Sequence, residues 1–353
     1  MTVTGATAVL DRQGLEALVA SGRTVVGPIA RDGAIVLAEL DSAEQLPYGW
    51  GVELEAGRYR LRRREDGAAF AHSAGPQSWK NFLHPQREKL WSADRSAEGE
   101  MTVRVERPGP PSYAFLGVRP CDLRAISIQD RVLAGGSFDD GYEERRRGAF
   151  LIAVECTESG ATCVCVSMGA GPGADSVFDL ALTEVVDDAG HRFYVPVGSE
   201  KGTTLLDSLP HREPDAATAN AARAAVAGAV DKMGRAMPPV DLPAQMGASL
   251  TAERWDDVAS RCLTCGNCTM VCPTCFCTTT EEVTDLTGEL GTRHDQFGSS
   301  TVRGDQGRSG DRGRADDRAR RHGARRRHDR PCRPDEGPAQ GQTAARRRPA
   351  RRP

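Results

Sequence analysis

Apolar residues recur at helical spacing over 10–20, where Leu15, Leu18 and Val19 share one stripe, and the pattern stops at Gly22. A short amphipathic helix is expected there. Thr24-Val25-Val26 and Ala34-Ile35-Val36-Leu37 read as strands joined by the turn Arg31-Asp32-Gly33. Val52-Glu53-Leu54 and Arg58-Tyr59-Arg60-Leu61 predict a hairpin around Ala56-Gly57. The unbroken apolar runs 113–118 and 149–154 predict buried strands, with a helix over 122–133 between them. Residues 193–197 form a further strand, which Pro196 places near an edge.

The pattern changes near residue 210. The alanine-rich stretch 216–237 predicts a long helix closed by Pro238-Pro239, and 243–247 reads as a linker. Ser249 is the expected N-cap of another helix, with Glu253 four residues on and Trp255 and Val258 on its inner face. The predicted class is α+β. A mixed α/β domain spans 1–210, and a helical segment with a helical ferredoxin-like domain spans 211–300.

Charge separates the remainder. The net charge of −3 conceals a segment, 301–353, with 17 Arg against 7 Asp plus Glu. No Leu, Ile, Met, Phe, Trp or Tyr occurs in it, and Val302 is its one aliphatic side chain above alanine. Such a segment buries too little apolar area to offset its ordering entropy, so a disordered tail is expected. It carries no aromatic residue for base stacking and no groove-fitting periodicity, which argues against nucleic acid as a partner. Arginine without a single lysine fits out-of-frame translation of a GC-rich gene. No apolar run reaches about 18 residues, and Met1–Thr7 lacks the features of a signal peptide. A cytoplasmic chain is expected, with no membrane association.

Of the 11 cysteines, 6 fall between Cys262 and Cys277. Cys262, Cys265, Cys268 and Cys272, followed by Pro273, give C-x2-C-x2-C-x3-C-P, the spacing of bacterial cubane iron–sulfur sites. Thiolates three residues apart wrap one cubane, Gly266 lets the backbone pass close, and Pro273 turns the chain away. A zinc site needs two cysteine pairs separated by a longer loop, which is missing here. In two-cluster ferredoxins the fourth cysteine serves the other cluster. No second run follows Cys277, so Cys272 closes the first cubane locally, or Cys275 or Cys277 is recruited, or the site is incomplete. One 4Fe-4S cluster is expected.

Three segments outside the run, and one that continues from its end, carry a resemblance: Trp79-Lys80-Asn81-Phe82-Leu83-His84-Pro85-Gln86-Arg87-Glu88, Gly117-Val118-Arg119-Pro120-Cys121-Asp122-Leu123, Glu155-Cys156-Thr157-Glu158 with Ala161 to Gly169, and Cys272-Pro273-Thr274-Cys275-Phe276-Cys277. Together they resemble the beta subunits of sulfhydrogenase-type nickel–iron hydrogenases and the electron-input subunit of anaerobic sulfite reductase, over about residues 10 to 300. The resemblance implies an electron-transfer subunit with a two-cubane ferredoxin-like domain. It also implies catalytic and flavin-containing partner subunits, with no catalysis on this chain alone. The family's second cysteine run should follow a stretch like His294-Asp295-Gln296-Phe297-Gly298; here Arg/Gly/Asp-rich sequence follows instead. The second cluster is therefore expected to be lost. The rivals are the sulfite reductase subunit, the product of a damaged gene, and a zinc-binding nucleic-acid-associated protein.

Cys121, Cys156, Cys163 and Cys165 sit at predicted strand ends or turns and form a candidate additional metal site; the alternative is that they are buried small hydrophobes. Gly169 to Ala174 fits G-x-G-x-x-[GA], with Asp187 and Asp188 downstream, but Pro172 spoils a helix start, so a simple turn is expected and no nicotinamide. Trp79, Phe82, His84 and Trp91, beside Arg87 and Lys89, form either an interface or ordinary packing.

Overall fold

The computed structural model describes residues 5–297 apart from 74, 106–108, 110, 135–138, 176, 277 and 286–289. The predicted tail, Gly298, Cys277 and Cys332 lie outside the described residues. The chain divides into two units, 1–239 with 264–305, and 240–263 with 306–353.

The first unit is built on a seven-stranded mixed sheet. Its strands are β1 (Thr7–Leu10), β2 (Thr24–Arg31), β3 (Ala34–Glu39), β8 (Tyr113–Val118), β9 (Phe150–Val154), β10 (Leu180–Asp187) and β11 (Gly190–Pro196). They lie in the order β1-β11-β10-β9-β8-β2-β3. The middle pairs β2–β8, β8–β9 and β9–β10 are parallel, and antiparallel strands flank them on both sides. Between β3 and β8 in the chain come the hairpin β4 (Trp50–Glu55) and β5 (Arg58–Arg63), then α2 (Lys80–Leu83), β6 (Arg87–Arg95) and β7 (Met101–Val105).

Parallel strands covered on both faces are apolar throughout, and β8 and β9 are. Leu116, Phe150 and Ile152 face one core with Leu15 and Leu18 of α1 (Arg12–Val19), while Phe115, Leu151 and Ala153 face a second core with Trp79 and Leu83. The helices α3 (Pro120–Gln129) and α4 (Asp140–Gly148) connect β8 to β9, and Leu123, Ile126 and Tyr142 complete that second core. After β11 come α5 (Glu200–Asp207) and α6 (Ala216–Asp231).

The predictions for the first 200 residues stand with local changes. The first helix begins at Arg12, because the Asp11 carboxylate accepts from the Gly14 amide. Asp32 and Gly33 take positive φ in the β2–β3 turn, as does Gly57 in the β4–β5 turn. The strand carrying Pro196 lies one in from the sheet edge, with the proline as its last residue. Gly169 to Ala174 opens no helix. Trp79 and Phe82 belong to an aromatic stack, with Trp79 centred 5.1 Å from Phe115 and Phe82 5.6 Å from Tyr113, so packing accounts for them.

Four expectations fail. The alanine-rich helix stops at Asp231 rather than near 237, because the following residues leave the axis to lie over the 161–167 loop. Gly234 there would place a Cβ only 2.2 Å from the Ala161 carbonyl oxygen, an approach open to glycine alone. The expected linker 243–247 is helix α7 (Leu242–Ala248), with Asp241 as N-cap and Pro243 in the first turn. Ser249 ends that helix rather than starting the next, and α8 (Arg254–Ser260) exposes Trp255 and Val258.

The ferredoxin-like region is not wholly helical. After α9 (Asn267–Val271), β12 (Thr278–Thr284) and β13 (Leu290–Phe297) join β6 and β7 in the order β12-β13-β6-β7. Threonine and valine in 278–284 favour extended backbone. The stretch His294–Phe297 thus lies in a strand.

Candidate metal centre

Cys262 belongs to the second unit, just past the end of α8, and its amide is bonded to the Ala259 carbonyl. Cys265, Cys268, Cys272 and Cys275 belong to the first. Cys262, Cys265 and Cys268 are exposed; Cys272 and Cys275 are half-buried. Thr264 and Gly266 both take positive φ, at 55° and 73°. Gly266 is then the N-cap of α9, the role its lack of a Cβ suits. Cys268 lies in α9, and Cys272 is its C-cap.

Two side chains of the α/β domain hold this segment, and one side chain of the segment packs against that domain. Lys80 is 2% exposed and donates from Nζ to the carbonyls of Thr269 (2.9 Å) and Cys272 (2.7 Å). A cation bonded to carbonyls at the end of a helix is favourably placed against the dipole. Gln129, at the end of α3, donates to the Pro273 carbonyl at 2.9 Å. Phe276 packs against the second core.

Burial alone would raise the Cys272 thiol. Hydrogen bonds from the Thr274 side chain and backbone, and from Cys275, outweigh it and hold the thiol below its usual value. Donors turned onto a sulfur suit a ligating thiolate, and such bonds tune an iron–sulfur centre. The chemistry around Cys272 therefore suits an iron–sulfur ligand, while among the described residues no three side chains of the run are drawn together on one ion.

The other four cysteines come together at one end of the central sheet. Cys121 lies in the first turn of α3, just beyond β8, and Cys156 lies two residues beyond β9. Cys163 and Cys165 return to them within the β9–β10 connection. Burial pushes Cys121 well up, and Asp122 and the thiols of Cys156, Cys165 and Cys163 push it further. Burial likewise raises Cys156 to about 11, against the opposing charge of Arg119. Burial also raises Cys165, with Cys163 adding to it. Among the described residues, no three His, Cys, Asp or Glu side chains are drawn together as ligands of a single ion.

Sequence reading missed Lys80, Gln129 and Arg119 as parts of these sites. Lys80 and Arg119 stand inside the resembling segments, and the one available signal was a basic residue within an otherwise apolar, aromatic run.

Residues 261–333 match the 4Fe-4S dicluster domain family, a span that continues into the Arg-rich segment. The chain is 32% identical over 211 residues, 56% of its length, to sulfhydrogenase 2 subunit beta of Pyrococcus furiosus. That match spans 58% of the relative. No solved structure matches. No helix among the described residues is long and apolar enough to cross a membrane. The chain is thus related to the beta subunit of a sulfhydrogenase and carries, from Arg261, a segment of the 4Fe-4S dicluster type.

Proposed function

We propose that this chain is an iron–sulfur electron-transfer subunit of a cytoplasmic multisubunit oxidoreductase, of the hydrogenase or sulfhydrogenase beta type. Its partners are a catalytic and a flavin-containing subunit. The observation that carries the reading is the cysteine run, with donors turned onto Cys272 and a buried lysine on the backbone that bears it. Cys262, Cys265, Cys268 and Cys272 hold one 4Fe-4S cluster in this reading, and Cys275 and Cys277 are the substitutes for the fourth position. A bound cubane stores and releases one electron at a time. The chain's own part is to fix the thiolates, place hydrogen-bond donors on one of them and set the local charge through Lys80.

Anaerobic purification with iron and sulfide analysis tests this. Replacing Cys262, Cys265 and Cys268 by serine should remove about four irons per chain relative to the parent. An unchanged iron content would refute the assignment. Cys272→Ser should destroy or convert the cluster, while Cys277→Ser is milder; the reverse order moves the fourth ligand.

A further inference from the structure

The group Cys121, Cys156, Cys163 and Cys165 has a setting that small hydrophobic filler does not need. In open α/β sheets, ligands sit beyond the carboxyl ends of the parallel strands, where strand order reverses; here the strand order does not reverse, and only the carboxyl-end placement is shared. Cys121 and Cys156 follow the carboxyl ends of the adjacent parallel strands β8 and β9. All four are free thiols, and none is fully buried. Each of the six pairs among them is near enough to interact electrostatically.

A buried cation lies beside one of them. Arg119 is 2% exposed and lies beside Cys156. Its Nη2 donates to the Phe70 carbonyl at 2.8 Å and lies 3.4 Å from His72, while Nε and Nη1 have no hydrogen-bond partner. A guanidinium left partly unpaired in the interior is costly. The nearby Asp122 carboxylate supplies part of the balancing charge, and a thiolate-ligated cluster, with its net negative charge, would supply the rest.

The connection that carries Cys163 and Cys165 is also pinned. The Cys156 amide bonds the Pro172 carbonyl, the Ala170 amide bonds the Cys165 carbonyl, and the Arg235 amide bonds the Cys163 carbonyl. At Gly171 an added Cβ would lie 3.1 Å from Pro120 Cβ and 3.6 Å from Cys165 Sγ, which puts that sulfur close to the start of α3. Zinc, with bonds of about 2.3 Å, needs sulfurs drawn tightly together. These are not so grouped. A cubane, with one iron at each of four corners, takes thiolates spread around its whole volume.

We propose that Cys121, Cys156, Cys163 and Cys165 ligate an iron–sulfur cluster of the cubane class, separate from the ferredoxin-type run, with Arg119 as the positioning residue that balances its charge. Loading is ligand exchange from a preassembled cluster on donor thiols. Four iron–thiolate bonds form here, four break on the donor, the four protons pass to the donor thiolates, and no electron is transferred. The proposal stands without the reading of the run.

The test is the full chain with Cys262, Cys265, Cys268 and Cys272 all changed to serine, purified anaerobically. About four irons and four sulfides per chain should remain. Adding Cys163→Ser and Cys165→Ser should lower that iron at least tenfold while far-UV dichroism is kept; Cys165→Ala alone serves if the double change misfolds. Absence of iron from the four-serine chain, zinc in its place, or iron retained after the second change would overturn the proposal. Failure of the run's own reading looks different: the four-serine chain would then hold as much iron as the parent. Arg119→Met should make the midpoint potential of the remaining cluster more negative, and Arg119→Lys should restore most of it. A potential unmoved by Arg119→Met would remove that role.

Discussion

The two cysteine groups are assembled in opposite ways. The run from Cys262 to Cys275 is contiguous, three of its thiols are exposed, and its order is borrowed through Lys80, Gln129 and Phe276. The second group is gathered from the ends of two parallel strands and one pinned connection, so the sheet itself supplies its order. The difference teaches that a metal-type spacing can sit on weakly held backbone. A group gathered from distant segments can instead sit at the ends of the central strands and one connection between them.

The largest effect should come from the sheet. Phe115 is fully buried in β8 beneath Trp79, Phe82 and Tyr113. Phe115→Ala should cost about 3–5 kcal/mol in urea unfolding. It should also loosen both cysteine groups, since β8 leads into Cys121 and Trp79 precedes Lys80. Leu263, 89% exposed between two cysteines of the run, should cost under about 0.5 kcal/mol as alanine. Equal losses from the two changes would erase the contrast.

Lys80→Met comes next. It leaves the carbonyls of Thr269 and Cys272 without their cation, worth about 2–3 kcal/mol for a charged hydrogen-bond donor. The loss should be local to the run. Amide exchange at 269–272 should accelerate, and a chelator should strip the run's iron about tenfold faster, matching the first 1.4 kcal/mol of that loss. Exchange in β8 and β9 should stay as in the parent. Uniform acceleration would mean that Lys80 supports the whole domain.

Legibility in the sequence divides along similar lines. The strands of the central sheet were legible because Tyr113–Val118 and Phe150–Val154 are continuous apolar runs. The cysteine run was legible because its ligands are neighbours in the chain. The strands β12 and β13 were not, because β6, the strand that β13 joins, lies nearly two hundred residues earlier, and a polar Thr/Glu pattern carries no core signal. Helix α7 was missed because Pro243 and Gly247 read as a linker, although Asp241 caps the helix and proline suits its first turn. Arg119 and Lys80 were invisible as buried cations, because burial of a charge depends on which tertiary partners meet it.

A pH series sharpens the contrast on the sheet side. His72, buried against the Arg119 guanidinium, is pushed down to about 3, first by burial and then by that charge. Between about pH 6.5 and 3 the unfolded chain therefore binds a proton that the folded chain refuses. Its contribution to stability is present above pH 6.5 and is lost as pH falls, at about 1.4 kcal/mol per unit. At pH 5 that amounts to about 2 kcal/mol. His72→Gln should flatten the slope in chemical unfolding over this window; an unchanged slope would show that His72 is not the group responsible.

The smallest effect should come from Gln129→Ala. Gln129 is 1% exposed at the end of α3, and its amide reaches the Pro273 carbonyl at 2.9 Å. Pro273 is half-buried, so water can reach the carbonyl once the amide is gone, and the cost is a single neutral hydrogen bond rather than an orphaned polar atom. That sets the expected loss at about 1 kcal/mol, below the charged clamp of Lys80. Removing a buried amide also empties some volume at the end of α3, which would move the melting transition of the α/β domain. The two contributions separate by location. Loss of the clamp alone should speed cluster release from the run about fivefold, matching about 1 kcal/mol, and leave the domain's melting temperature within a degree or two. A shift of several degrees with unchanged release would assign Gln129 to the second core instead, and the run would then depend on Lys80 and Phe276 for its hold.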